Sequence, residues 1–300
     1  MRGIVVALPN DSKLAASIGK GGTESSLIFY NRRIDDDTIA VLAPADLEKK
    51  YYAVPESLLL ADVIVLSTAN VDALLGETLI AAGMIDKPVI LTDENDVSRF
   101  TKDANVTKVS IVKREAVLDE IRKSGTAESR GDVRVDLDAA FNVKGVGTVL
   151  LGLVRNGTIK VHDNLTHSSG KMVSVRSIQS LDVDIESAVK SIRVGLAVKG
   201  IESDEVQKGD VLTGKAIPRV KSAKAIIRLG KIYSEGNIKG EMIGFTSGFS
   251  QCKAKISAME GDSCTINFEK AIPVDVGDTF LLTQDNKPRI FGAGSILGVS

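Results

Sequence analysis

Few side chains in this 300-residue chain have the type and spacing that chemistry requires. Cys252 and Cys264 lie twelve positions apart with no histidine beside them. That spacing suits neither a zinc site nor a redox Cys-x-x-Cys pair, so reduced thiols and no metal site are expected. His162 and His167 fall in one strand-and-turn segment, where a structural or surface role is expected rather than acid–base catalysis. Gly19, Gly21 and Gly22 surround Lys20. A basic glycine turn can hold a phosphate, but this one follows the helical stretch Ala15 to Ile18 and reads as a helix-ending turn. The acidic run Asp35 to Asp37 reads as a solvated hairpin or loop tip.

Such residues need a scaffold, and the bulk composition bounds it. A length of 300 residues exceeds one compact domain and suggests two or three. Apolar residues at 43% and charged residues at 26% are globular values. No apolar run reaches the ~18 residues that a membrane span needs. The N-terminal MRGIVVALPND has an apolar stretch too short for a signal h-region and lacks a small-residue cleavage site, so a cytoplasmic protein is expected. A net charge of −1 argues against a bulk nucleic-acid binder, so any RNA contact must be local, with neither DNA nor membrane as a partner.

Along the chain, residues 1–125 alternate apolar runs with helical stretches, the pattern of βαβ units. Ile4 to Leu8, Thr38 to Leu42, Asp62 to Ser67, Pro88 to Leu91 and Val106 to Val112 read as strands buried on both faces. Leu47 to Leu60, Val71 to Gly83, Asp96 to Ala104 and Arg114 to Lys123 read as helices. SGTAESRG at 124–131 reads as a linker. Beyond it, short alternating segments separated by Gly, Asn and Asp turns predict β units over 132–214 and 218–300, with GKAIP at 214–218 between them. RNGTIKV reads as a hairpin turning at Asn156 and Gly157, with Val149 to Val154 and Thr158 to Val161 as its arms. SSGK at 168–171 reads as a second turn.

AAFNVKGVGTVLLGLVRNGTIKVHDNL, VRSIQSLDVDIES and RVGLAVKGIESDEVQKGDVLTG together resemble domain two of elongation factor Tu and its relatives. The likeness is to archaeal elongation factors and the selenocysteine-specific elongation factor. Gly145, Gly147 and Gly152 mark bends and close approach in a curling sheet, and Lys208-Gly209-Asp210 turns into the last strand. KPRIFGAGSIL is similar to domain three of those proteins, and SIGKGGTESSLIFYN with PESLLLADVIVLSTANVDALLGETLIAA looks like a branch whose GTPase motifs have decayed. The resemblance implies an α/β G-like (P-loop-type) domain with a mostly parallel sheet, followed by two all-β barrels of translation-factor type.

A phosphate-binding loop needs glycines after the first strand, a lysine, and a hydroxyl residue for Mg²⁺. Here the strand runs into LPNDSKLAAS: Lys13 follows Ser12, Leu14 stands where the hydroxyl belongs, and no glycine occurs between Leu8 and Ile18. VLAPADLE puts Leu42 and Ala45 in place of the Asp and Gly of a γ-phosphate-sensing turn. TDEN at 92–95 replaces the guanine-reading Asn-Lys-x-Asp, leaving Asn95 or Asp96 to meet a base. Ser12, Lys13, Asn95 and Asp96 are thus what remains of a nucleotide site. By position in the resembled family, Gln179, Asp182 and Arg193 fall where domain two holds the acceptor end of tRNA. Arg193 is suited to a phosphate or ribose edge and Asp182 to an amino group. In the last domain Lys221, Lys224, Arg228, Lys231, Lys253 and Lys255 are candidates to follow a tRNA stem or to keep an edge strand soluble.

The resemblance implies a translation-factor-like protein that binds tRNA or the ribosome without efficient GTP hydrolysis, requiring no cofactor and having no catalytic residues. The alternatives are an active GTPase, using GTP and Mg²⁺ to deliver a special aminoacyl-tRNA, and a protein–protein scaffold on the same fold.

Overall fold

The computed structural model describes residues 2–22, 25–124, 131–230, 238 and 240–299. Its N-terminal unit contains β1 (Arg2–Ala7), α1 (Ser12–Ile18), β2 (Lys20–Gly21), β3 (Leu27–Ile34), β4 (Asp37–Pro44), α2 (Ala53–Leu60), β5 (Val63–Leu66), α3 (Ala73–Met84), β6 (Val89–Thr92), α4 (Ser98–Asp103), β7 (Val109–Val112) and α5 (Val117–Ser124). The sheet runs β2-β3-β4-β1-β5-β6-β7. From β4 to β7 it is parallel, while β3 and β2 form an antiparallel margin. Strands β1, β5 and β6 are apolar because helices cover both faces: α2 and α3 pack on one, α1 and α5 on the other.

Local chemistry moved several boundaries. The helix expected from Leu47 begins only at Ala53, because the Asp46 carboxylate accepts the N–H groups of Glu48 and Lys49 and folds that stretch into its own turn. The acidic run is the β3–β4 hairpin tip, with Asp35 in the left-handed region at φ 53°. Asp37, however, is buried and paired with Arg2 (2.8 Å) and Arg122 (2.9 Å) instead of solvated. The two guanidiniums outweigh the burial of its carboxyl and hold it below the usual carboxylate range. Residues 125–130 of the expected linker, and Lys231, lie outside the described residues.

The second unit contains β8 (Arg134–Val143), β9 (Gly147–Asn156), β10 (Thr158–Lys160), β11 (Asn164–His167), β12 (Met172–Ser180), β13 (Val183–Ile185), β14 (Ser187–Val189), β15 (Arg193–Lys199) and β16 (Val211–Thr213). The order β11-β16-β8-β9-β15-β12 closes into an antiparallel barrel through the β11–β12 pairing, with β13 beside β12. Gly157 does turn, at φ 64°, but the expected arms do not pair. Strand β9 lies between β8 and β15, whereas β10 leaves the main sheet and pairs with β14. A Cβ on Gly157 would meet the Val133 backbone at 2.7 Å, so close packing sets this corner. The third unit is a closed antiparallel barrel, β17-β20-β19-β18-β21-β22, built from Arg219–Leu229 (β17), Met242–Ser247 (β18), Ser250–Glu260 (β19), Ser263–Pro273 (β20), Thr279–Thr283 (β21) and Ile290–Val299 (β22).

The three units share buried surface. The apolar cluster on the α2–α3 side of the sheet continues through Leu153 of the first barrel into Phe249, Leu281, Ile290 and Ala293 of the second. Every side chain of α2 is buried. Arg155 of β9 donates to the last carbonyls of α2, those of Leu60 (2.7 Å) and Leu59 (3.1 Å), placing a cation at the negative end of the helix. Glu56, fully buried on α2, pairs with Lys208 of the first barrel at 2.5 Å and accepts hydrogen bonds from Ser26 (2.9 Å) and from Gln251 of the second barrel (3.1 Å). On the second barrel, Arg219 pairs with the buried Asp210 at 2.6 Å, beside His167 at 3.3 Å. Both histidines have structural settings: His167 is buried, and His162 occupies a positive-φ turn. No described helix is long and apolar enough to cross a membrane.

Candidate functional site

Open parallel sheets bind ligands at the carboxyl ends of their strands. Here that crevice is spanned by β1, β5 and β6 and is filled from within. Beyond β1, the Asn10 amide donates to the Ser67 carbonyl (2.7 Å) and accepts the Ser67 N–H (3.1 Å), tying the ends of β1 and β5 together. Asp11 caps α1 by accepting the Leu14 N–H at 2.8 Å, so this helix N-terminal donor is already satisfied. Its other oxygen pairs with Arg114 at 2.7 Å, and the same guanidinium lies 3.4 Å from Glu94. Burial raises both carboxyls, but it is outweighed for Asp11 by hydrogen bonds and the charge of Arg114, and for Glu94 by hydrogen bonds from Thr92, the backbone, Thr68 and Arg114, so both lie below their ordinary values.

The expected nucleotide residues join this network or lie outside it. Ser12 and Lys13 are exposed on the first turn of α1. Asn95 donates its backbone N–H to the Thr68 hydroxyl (3.0 Å) and its amide to the Thr68 carbonyl (2.8 Å), while Asp96 accepts the Ser98 N–H (2.9 Å). The residues that organise the crevice are therefore Asn10, Asp11, Thr68, Glu94 and Arg114, which sequence reasoning passed over. Only Asp11 had a signal, as an N-cap residue directly before a helical run. Among the described residues no group of His, Cys, Asp and Glu side chains is placed to hold a metal ion. Both cysteines are free thiols, pushed by burial up to about 12 for Cys252 and about 11 for Cys264.

A second place opens between the N-terminal sheet and the first barrel. It is a cleft of about 530 Å³ whose barrel wall carries Gln179, Asp182 and Arg193, the residues expected at an acceptor end. Gln179 and Asp182 are exposed, and the Gln179 amide donates to Asp184 at 2.8 Å. Arg193 has other commitments: it pairs with the buried Asp138 at 2.8 Å, and its guanidinium carbon lies 3.5 Å from the ring centroid of Phe29 on β3. It thus joins the barrel to the sheet through a cation–π contact instead of standing free for a phosphate. Leu181 and Asp182 turn the chain at φ 53° and 61°. The glycine cluster is more than a helix-ending turn. Gly19 caps α1, then Lys20 and Gly21 pair with Asn31 and Tyr30 as the margin of the sheet. On the second barrel Lys253 and Lys255 share the outward face of β19.

Residues 147–213 match the family described as elongation factor Tu domain 2. The chain is 29% identical over 192 residues to the selenocysteine-specific elongation factor of Methanocaldococcus jannaschii, a match covering 55% of this chain and 41% of that factor. Residues 147–213 are thus an elongation factor Tu domain 2, in a chain that is similar to members of that family over a longer stretch. Its three-unit build is that of the elongation factor SelB from Methanococcus maripaludis, solved with the GTP analogue GppNHp: TM-score 0.80 at 18% identity, covering 100% of this chain and 80% of that one. An uncharacterized protein of Methanocaldococcus jannaschii is 27% identical over 310 residues, covering 99% of this chain and 100% of that protein. The match to the selenocysteine-specific factor spans under half of that protein's length.

Proposed function

We propose that this chain is a cytoplasmic, translation-associated binding protein that takes tRNA or the ribosome as its partner and works without hydrolysing GTP. The observation that carries this reading is the Arg114 network. A guanidinium paired with Asp11 and lying near Glu94 occupies the crevice where a nucleotide would need converging backbone N–H groups. Loss of the glycines, the magnesium hydroxyl and the γ-phosphate turn fits the same reading. The buried α2 supports it too, because the element that would follow such a turn is packed among all three units. In place of a switch the N-terminal unit supplies a wall for the cleft beside the first barrel.

The deciding measurement is equilibrium binding of labelled GTP and GDP with Mg²⁺, set beside binding of total tRNA and of ribosomes at low salt. No guanine-nucleotide binding below the millimolar range, together with salt-sensitive RNA association, is the expected result. Guanine-specific affinity in the micromolar range or tighter would overturn the nucleotide-free reading. Absence of both tRNA and ribosome binding would leave the fold as a protein scaffold.

A further inference from the structure

Two clusters more than a hundred residues apart in sequence line the same cleft. On one wall, Lys20 and Arg33 stand on the β2–β3 ribbon; on the other stand Gln179, Leu181 and Asp182. Arg33 shares a face of β3 with Phe29, over which Arg193 lies, whereas Arg32 alternates to the α1 side and donates to the Ile18 carbonyl at 3.2 Å. Lys20 and Arg33 are exposed, and among the described residues neither has a carboxylate partner. The charge of Arg193 is matched by Asp138, so among the described residues Asp182 is the one carboxylate lining the space against two unmatched cations. Like charges gathered in one cleft repel each other and attract an anion.

The barrel wall is strained at the same spot. Leu181 and Asp182 both adopt left-handed backbone, which glycine and asparagine enter readily and leucine rarely does. Backbone held in a sparsely populated region gathers at binding sites, where it fixes a side chain or a carbonyl in a required place.

We propose that this cleft holds a phosphate carried at the end of an RNA chain. The proposal rests on the RNA-binding reading above and adds what the site prefers. An aminoacyl end brings an α-ammonium, which two cations oppose and a single carboxylate attracts. A terminal phosphate brings about −1.5 to −2 charges and three acceptor oxygens, a match for lysine and arginine donors. Its second ionisation lies near pH 6, so the preference weakens as the pH falls below about 6.

The test titrates the full chain with a fluorescent acceptor-stem RNA in four forms: unmodified, 3′-phosphorylated, 5′-phosphorylated and aminoacylated. Tenfold or tighter binding of one phosphorylated form over the unmodified and aminoacylated ones is expected. Lys20→Ala and Arg33→Ala should each remove most of that advantage, weakening the phosphorylated form several-fold more than the unmodified RNA. Both residues are exposed, so folding is expected to survive, and a circular-dichroism melt checks it. RNA binding without a phosphate preference, or a preference that survives both substitutions, refutes the cleft assignment and spares the RNA-binding reading. No binding of any form refutes both. Competition by millimolar AMP or inorganic phosphate equal to that of the phosphorylated RNA end would make a small phosphate compound the ligand and overturn the RNA source.

Discussion

Replacing Lys208 with methionine tests how firmly the N-terminal unit is fixed to the barrels. Lys208 approaches Glu56 to 2.5 Å, and the Glu56 carboxylate is fully buried. At an effective dielectric of ~20 the attraction is about 6–7 kcal/mol, much of it offset by taking the charges out of water. Removing one partner of a buried pair costs about 3–5 kcal/mol. Lys208 is 31% exposed, so solvent screening brings the expectation to about 3 kcal/mol. For a chain of this size that is a fall in Tm of roughly 5–8 °C. Burial already raises the Glu56 carboxyl above its ordinary 4.5, with Lys208 and Ser26 opposing, and losing Lys208 raises it further. The folded state then holds its proton more tightly than the unfolded state does. The penalty is therefore full above the raised folded value and shrinks as pH falls toward 4.5. Thermal unfolding by circular dichroism between pH 5 and 8 measures both effects. A companion Glu56→Gln/Lys208→Met double substitution should recover to within about 1 kcal/mol of the parent, because no uncompensated charge remains. A Lys208→Met protein that melts with the parent at every pH would refute the reasoning.

Three further substitutions address other junctions. Arg114→Ala leaves Asp11 and Glu94 without their cation and should lower stability by about 1–2 kcal/mol without creating affinity for labelled GTP; tight GTP binding by this variant would show that the arginine had been masking a competent site. Because Asp11 is held below its ordinary 3.8, its share of stability is present above that pH and is lost as the pH falls through its lowered folded value; Asp11→Asn should flatten that acid limb of the melting profile. Leu181→Asn relieves a left-handed leucine and should raise stability by about 1 kcal/mol, read as a higher urea midpoint; a lower midpoint would mean that leucine packing outweighs the backbone strain.

The largely apolar strands β1, β5 and β6 were legible because runs this short and rich in Val and Ile suit a strand buried on both faces better than a helix. Strand β3 was not, since Asn31, Arg32 and Arg33 interrupt its apolar run and its outer half faces solvent. The turn at Gly157 was visible in its residue type. The partner of β10 was not, because β14 lies about thirty residues on and local turn chemistry carries no information about it. At the site, the lack of glycines between Leu8 and Ile18 could be read from the sequence, whereas the Asp11–Arg114 pair could not: Arg114 is about a hundred residues from Asp11 and meets it only through the fold. Likewise Arg193 looked free until Asp138 and Phe29 closed on it from another strand and another unit. Residue type was legible throughout; partnership across units was not.

Helix α2 has a consequence for any attempt to restore a switch. A helix that must swing between two positions keeps at least one face tolerant of water. Here leucines at 58, 59 and 60 and a proline at 55 are all enclosed, with Arg155 fastened to the carbonyl end. On the GTP-independent reading proposed above, phosphate-loop glycines reinstalled beyond β1 would not by themselves give α2 freedom to swing, because contacts from all three units hold it. Freeing it would require changes in three units at once.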